Sequence, residues 1–425
     1  MREISYTRAT LRMGLLRGDL YDAPHMDLTS GCPLWPIRDG LIATYPPLER
    51  NVTCDVAIIG GGMTGAFVAQ ALCAAGVDVV LLDKRDIATG STASCTGLLQ
   101  YEIDTPLHEL IDRVGEEKAV RSYLLCMAAI KRLEQMTRTI GDDCGFSRRK
   151  SLQFASSPRD VAFLEKEHAA RVACGIHLDL LGPHDVRTMF PSSAPAALLS
   201  YDAGEIDAYR LTHALLRHAI GNGLRAFDRT RITKIDHGRR RAALHTDRGP
   251  RVSAKKIVFA TGYETDRYLR DPRVKLRTTY AIASEPLPSF DGWADRCLIW
   301  ETKRPYFYAR TTEDNRAIIG GGDEDFINPD DHEKLLPRKE SYLKRRFAKL
   351  FPAIDFDTAY RWAGVFGETD DGLPFIGDCA QVPNSYFAVG YGGNGITYSV
   401  LAGEIIRDLF LERPNPDAGL FCFDR

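Results

Sequence analysis

The segment that most restricts this chain is a glycine-rich turn set between two apolar runs. Residues 55–59 read DVAII, and GGGMTG follows directly. Gly60, Gly62 and Gly65 supply the pattern G-x-G-x-x-G. A helical pattern from Met63 to Ala75 stops at Gly76, and a second apolar run, residues 77–82, ends at Asp83. Apolar runs without alternation suit strands covered on both faces, so the unit reads as strand–helix–strand in a parallel sheet. Gly60 permits the tight turn. Gly62 lets a pyrophosphate approach the backbone, and Met63 and Thr64 open a helix whose N–H groups and dipole favour an anion. Gly65 lets the helix lie close on the strand. Asp83 falls 23 positions after Gly60, where an acid can hydrogen-bond an adenosine ribose. A glycine-rich turn of an unrelated α/β protein is the competing reading, and the complete strand–turn–helix–strand–acid context argues against it.

The rest of the chain offers room for more than this unit. At 425 residues it holds two to three domains by length. Lys+Arg number 55 and Asp+Glu 57, so no global field draws it to nucleic acid or acidic lipid. No apolar run reaches the roughly 20 residues of a membrane span. The first 20 residues lack an apolar signal core; their arginines leave a mitochondrial transit peptide as the alternative to a cytoplasmic chain. Ten cysteines without a C-x-x-C pair read as buried thiols in a reducing cytosol. Residues 1–51 read as an irregular arm, with Trp35 and Leu41 available to dock on the body. Helical spacing marks 116–136, 158–175, 210–220 and 396–410, and strands are expected at 231–235, 242–246 and 256–260. KKIVFATG at 255–262 reads as a strand returning to the first sheet, with Thr261 and Gly262 turning toward a cofactor. Near the end, YGGNG opens the helix at 396–410. Gly393, Asn394, Gly395 and Ile396 there can present backbone N–H groups to a flavin ring, unless the glycines form a plain turn.

Taken in order, DVAIIGGGMTG, LLDKRDIATGSTAS, GEIDAYRLTHAL, RITKI, KKIVFATG, RWAGVFGETDDGLPFIG and GYGGNGITYS resemble the FAD-dependent D-amino acid oxidase superfamily, the group of glycine, sarcosine and γ-glutamylputrescine oxidases. The resemblance covers about residues 52–412. It implies an α/β fold: a Rossmann-like FAD-binding domain with an interleaved antiparallel-sheet, α+β substrate domain. The FAD domain is expected at 52–145, 205–268 and 359–425, and the substrate domain at 146–204 and 269–358. The resemblance also implies FAD contacts at Gly60, Gly62, Gly65, Asp83, Lys84, Ser91, Thr92, Thr233, Thr261, Gly262, Gly393, Asn394, Gly395 and Ile396. Two departures matter. The flavin-linking cysteine of sarcosine-oxidase-like members has no counterpart between Arg361 and Gly377, so FAD is expected to be non-covalent, and Cys95 reads as a packing residue. The arginine that pairs with the substrate carboxylate in glycine-oxidase-like members aligns with Phe366. Arg304 and Arg310 are alternative cations, unless they are strand-surface residues.

The implied chemistry is transfer of a hydride from a carbon bearing nitrogen, in a small-molecule amine or amino acid, to flavin; the imine then hydrolyses. The ring carries that chemistry, so no dedicated acid or base is required. Tyr306 and Tyr308 share a strand face and are candidates for the substrate wall, with Tyr280, Trp300, Phe366 and Asn394 beside them; a place in the core is the more common role for each aromatic. His108, His213 and His245 show no metal-ligand spacing, and no G-x-S-x-G elbow occurs. Two other functions stay open: oxidation of a 2-hydroxy acid or polyol phosphate, and a flavin-binding subunit without turnover. Oligomeric state is open as well.

Overall fold

A computed structural model describes residues 29–425 except Arg270, Pro272, Ile327 and Asn328. The portion of the expected arm before residue 29 lies outside the described residues. Two sheets organise the chain. In the first, Ser385–Val389, Arg251–Phe259, Val52–Ile59, Val79–Leu82 and Arg225–Phe227 lie side by side and parallel. Their apolar runs are covered on both sides, which is why they lack alternation. Phe375–Asp378 adds an antiparallel edge. Because the strands are parallel, the ends at Ile59, Leu82 and Phe259 open onto one edge. Ligands bind at such an edge, where neighbouring connections diverge.

The second sheet is antiparallel except where Leu298–Glu301 runs parallel to Ser147–Phe154. Its middle strands are Thr358–Thr369, Val274–Ser284, Ala317–Asp325 and Phe307–Thr311. Helix Pro329–Leu350 packs on it, and Leu343, Phe347, Phe351, Tyr280 and Phe307 form its buried core. This is the α/β class read from the sequence, with a Rossmann-like sheet and an interleaved antiparallel one. Two segments grouped by sequence with the first sheet belong to the second. Thr358–Thr369 pairs along its length with Val274–Ser284, and Leu98–Leu99 pairs with Ala197–Glu205. Thr358–Thr369 is buried mainly in its middle, and its long ladder with Val274–Ser284 decides its side.

Helix Met63–Ala74 lies between helices Gly395–Phe410 and Ala208–Gly221. Gly403 makes the first contact close: a Cβ there would sit 2.9 Å from the Phe67 carbonyl oxygen. The arm folds onto the body. Thr29–Gly31 adds an edge to Thr358–Thr369, and Leu34–Asp39 forms a helix. Trp35 is 1% exposed, and its Nε1–H donates to the Cys95 carbonyl. Leu41, expected to dock beside it, is 69% exposed, while Ile42, Ala43 and Tyr45 after it pack on the core. All ten cysteines are unpaired. Among the described residues no helix is long and apolar enough to cross a membrane.

Candidate active site

A continuous cavity of about 290 Å³, partly open to solvent, runs from the parallel-strand edge to the face of the second sheet. Gly60, Gly62, Met63, Thr64, Asp83, Lys84, Ser91, Thr92, Thr261, Gly262, Gly393 and Gly395 all line it. The glycines are spatial requirements here. Gly60 adopts φ +108°, and a Cβ on it would lie 2.3 Å from the Ala260 carbonyl oxygen. Gly65 stands behind the wall, where a Cβ would meet the Gly60 carbonyl oxygen at 2.0 Å. Two helix N-termini, those of Met63–Ala74 and Gly395–Phe410, meet at the cavity; Thr64 Oγ1 and Ser399 Oγ lie 2.9 Å apart across the seam. The Thr92 hydroxyl accepts from the Met63 N–H at 3.0 Å. Ser91 Oγ is buried with no hydrogen-bond partner, a polar atom left over for a ligand.

Asp83 closes this end. Its Oδ2 accepts from the Gly61 N–H at 2.7 Å and its Oδ1 from the Arg85 N–H at 2.8 Å. Burial lifts its pKa, and the two N–H groups oppose that shift. Lys84 and Arg85 both pair with Glu264. Burial lowers the Lys84 pKa against the pull of Glu264. The strand read as RITKI reaches the cavity through Thr230, Arg231 and Ile232, not through Thr233. Thr233 faces the neighbouring strand and donates to the His245 carbonyl at 3.2 Å.

The other end is aromatic. Tyr263, Tyr306, Tyr308, Phe366 and Tyr391 line it, with Thr279, Val365 and Asp323. Tyr306 and Tyr308 share a strand face, their ring centroids 6.1 Å apart. The Tyr306 hydroxyl donates to Asp104 Oδ1 at 2.9 Å, and the Gly393 N–H donates to Asp104 Oδ2. Tyr280, expected at the substrate wall, is instead 1% exposed in the core beneath the second sheet. A bulge between Thr278 and Tyr280 shifts the register, and Thr279 faces the cavity instead. Asn394, expected at the substrate and the flavin, does not line this cavity. Its side chain donates to the carbonyls of Gln100 and Glu102 at 3.1 and 2.9 Å, tying the turn down; with Ile396 it lines only a small adjoining cavity. Trp300 lines that cavity too, bonding Ser151 Oγ at 3.1 Å.

Cys95, read as packing, lines the main cavity, and burial raises its thiol pKa. Arg310 is no surface residue. It is 2% exposed, and Nη1 donates to the carbonyls of Thr96, Gly97 and Ile206 at 3.2, 2.8 and 2.9 Å, holding the segment that leads into the cavity. Arg304 sits outside the wall, its guanidinium 4.6 Å from the Tyr306 ring centroid. The histidines lie elsewhere. His108 pairs with Glu167 at 2.6 Å and His245 with Asp236 at 2.8 Å. His213 faces the Tyr45 hydroxyl at 3.2 Å, its pKa lowered to about 4 by burial and then by Arg217. Asp323, Asp104 and Tyr263 are functional candidates that sequence reasoning missed. Asp323 stands in an acidic run, GGGDED, that looks like a solvated strand end.

The family model described as DAO, FAD dependent oxidoreductase, matches residues 55–409. The chain belongs to the DAO family of FAD-dependent oxidoreductases. It is 28% identical over 379 residues to γ-glutamylputrescine oxidoreductase of Escherichia coli, covering 86% of each chain. It is 24% identical over 383 residues to glycine oxidase of Geobacillus kaustophilus, covering 84% of this chain and 92% of that one. The crystal structure of that glycine oxidase superposes with a TM-score of 0.72 at 20% identity, over 88% of this chain and all of the other. L-proline dehydrogenase from P. horikoshii gives 0.72 at 18% identity, over 88% and 97%. The DAO-family cofactor fits what the cavity offers: a glycine cradle at a helix N-terminus, an acid at the next strand end, the orphaned Ser91 hydroxyl, and a second helix N-terminus beyond.

Proposed function

We propose that this DAO-family chain oxidises a C–N bond of a small-molecule amine or amino acid. The observation that carries this reading is that one cavity joins the dinucleotide cradle to an aromatic chamber. FAD, when bound, accepts a hydride from the carbon beside nitrogen. The chain's own residues bind, orient and exclude water. The helix N-terminus at Gly62 and Thr64 would hold the pyrophosphate, Asp83 would accept from the ribose, and the turn at 392–395 would stand at the flavin. Tyr306, Tyr308 and Phe366 wall the reacting carbon from water. The imine leaves and hydrolyses outside. Names among the relatives support nitrogen as the reacting site: glycine oxidase and γ-glutamylputrescine oxidoreductase. We take FAD to be non-covalent, since no cysteine stands at 361–377, and the ten unpaired thiols suit the cytoplasm.

The test is anaerobic bleaching of purified flavoprotein. An amine or amino acid from a panel should bleach the flavin, and heating should release it into solution. Bleaching by 2-hydroxy acids or polyol phosphates alone would replace this reading with C–O oxidation. A stable hetero-complex that no compound bleaches would make the chain a flavin-binding subunit.

A further inference from the structure

The cavity segregates its charge. Lys84, Arg85, Arg231 and Arg267 line it at the nucleotide end, gathered with Glu264 and Asp83 around Tyr268. At the aromatic end the charged lining residue is Asp323. Asp104 lies beside it, but both Asp104 oxygens are engaged, one by the Tyr306 hydroxyl and one by the Gly393 N–H. Asp323 is different. Its Oδ1 is buried with no hydrogen-bond partner. The two acids after it are exposed and paired outward, Glu324 with Lys339 and Asp325 with Arg277. Of that acidic run, only Asp323 is turned into the cavity.

Its placement is built by the glycines before it. A Cβ on Gly320 would lie 2.2 Å from Tyr308 Cζ, so the bare backbone lets the tyrosine lie across the strand. Gly321 has φ +126° and stands opposite the Tyr280 bulge. The strand therefore twists just before Asp323. The carboxylate ends beside Thr279 and Tyr308, at a wall completed by Phe366. Burial, then Asp104 and Glu368, push its pKa to about 6 against the help of Thr279. A carboxylate with one buried oxygen left unpartnered is costly unless a cation joins it. Aromatic faces favour the same guest, because their quadrupole attracts ammonium. Arg304 does not fill this role: it lies behind Tyr306 and donates to the Asp104 carbonyl.

We propose that Asp323 is a specificity-determining carboxylate that takes an ammonium group of the substrate, and that the substrate carries no carboxylate beside its reacting carbon. The substrate class is a diamine or a related basic amine. This rests on the amine-oxidation reading and narrows it. A substrate α-carboxylate at this end would face Asp323 and Asp104 with no cation among the described residues lining that end to receive it, whereas an ammonium meets Asp323 Oδ1 and the two tyrosine rings.

The test uses holoenzyme and reads binding apart from turnover. Tetramethylammonium and acetate are titrated anaerobically, and perturbation of the flavin absorbance gives each Kd. Tetramethylammonium should bind and acetate should not. In Asp323→Asn the ammonium Kd should rise roughly tenfold or more, with flavin content unchanged. A second variant, Phe366→Arg, places a cation in the same wall; it should weaken tetramethylammonium and admit acetate. Flavin bleaching by 1,4-diaminobutane, glycine and sarcosine completes the test, and the diamine should be favoured. Acetate binding more tightly than tetramethylammonium, or unchanged ammonium binding in Asp323→Asn, overturns the inference. If glycine or sarcosine bleaches the flavin best, this inference fails while the amine reading stands. If only hydroxy acids bleach it, the amine reading itself fails.

Discussion

Replacing Gly65 by alanine tests the dinucleotide cradle with a single methyl group. An added Cβ would lie 2.0 Å from the Gly60 carbonyl oxygen, 3.1 Å from its carbon and 3.5 Å from Ile58 Cγ2. The first of these is a backbone atom in the tight turn, so no side chain can swing away. Restoring ordinary contact needs a separation of about 1.4 Å between turn and helix. Overpacking of this kind costs about 1–3 kcal/mol. Alanine in a helix otherwise gains about 1 kcal/mol over glycine, so a net loss isolates the steric term. The larger effect falls on the cofactor. The helix N-terminus holding the pyrophosphate would shift by a distance that breaks a hydrogen bond, and one charge-assisted bond is worth about 1.5–3 kcal/mol. The FAD Kd of Gly65→Ala should therefore rise about 10- to 100-fold, read by flavin fluorescence quenching on titration of apoprotein. Gly221→Ala is the control: it ends helix Ala208–Gly221 with nothing within 4 Å of an added Cβ, and FAD affinity should not change. Wild-type FAD affinity and urea midpoint in Gly65→Ala would refute the reasoning.

Three further outcomes are expected. Asp83→Asn should weaken FAD roughly tenfold by calorimetry while leaving riboflavin binding alone, because the amide loses charge where the ribose hydroxyl donates. Glu167 is buried, yet Arg171, His108 and the Leu107 and His108 N–H groups overcome burial and hold its pKa at about 2. Its folded pKa lies below the unfolded value, so its contribution is full above about pH 5 and lost as pH falls toward 2; urea midpoints should show a loss of about 3 kcal/mol that Glu167→Gln lacks. Trp35→Ala should cost about 3–5 kcal/mol by leaving a large hole under the arm, and limited proteolysis should then cut near residues 29–51.

Local chemistry was legible in the sequence, and long-range register was not. The turn from Gly60 to Gly65, the acid at Asp83 and the returning strand before Thr261 each carry their constraint within a few residues. So do most helices: 116–136 was expected and Glu116–Ile140 is observed. Tyr280 was misplaced because facing depends on a bulge that its own strand does not encode. Thr233 was misplaced by a short step along a strand whose approach to the cavity ends at Ile232. Arg310 looked like a surface residue, since three of its four carbonyl acceptors come from segments about 100 and 200 positions away. Asp323 was hidden in an acidic run, and only the pairing of Glu324 and Asp325 sets it apart.

The seam between Met63–Ala74 and Gly395–Phe410 also sets a timetable for synthesis. Chains emerge N-terminus first, and the second helix follows the first by about 320 residues. At about 5–20 residues per second, the first helix waits roughly 15–60 s for its partner. Throughout that interval Phe67 and its neighbours lack the surface that buries them, and the pyrophosphate cradle lacks its opposing wall. Flavin capture must then follow release of the segment that carries Gly395–Phe410. Cofactor loading is in this sense a late checkpoint: a chain stalled before that helix holds a recognisable fingerprint and no complete place to keep the flavin.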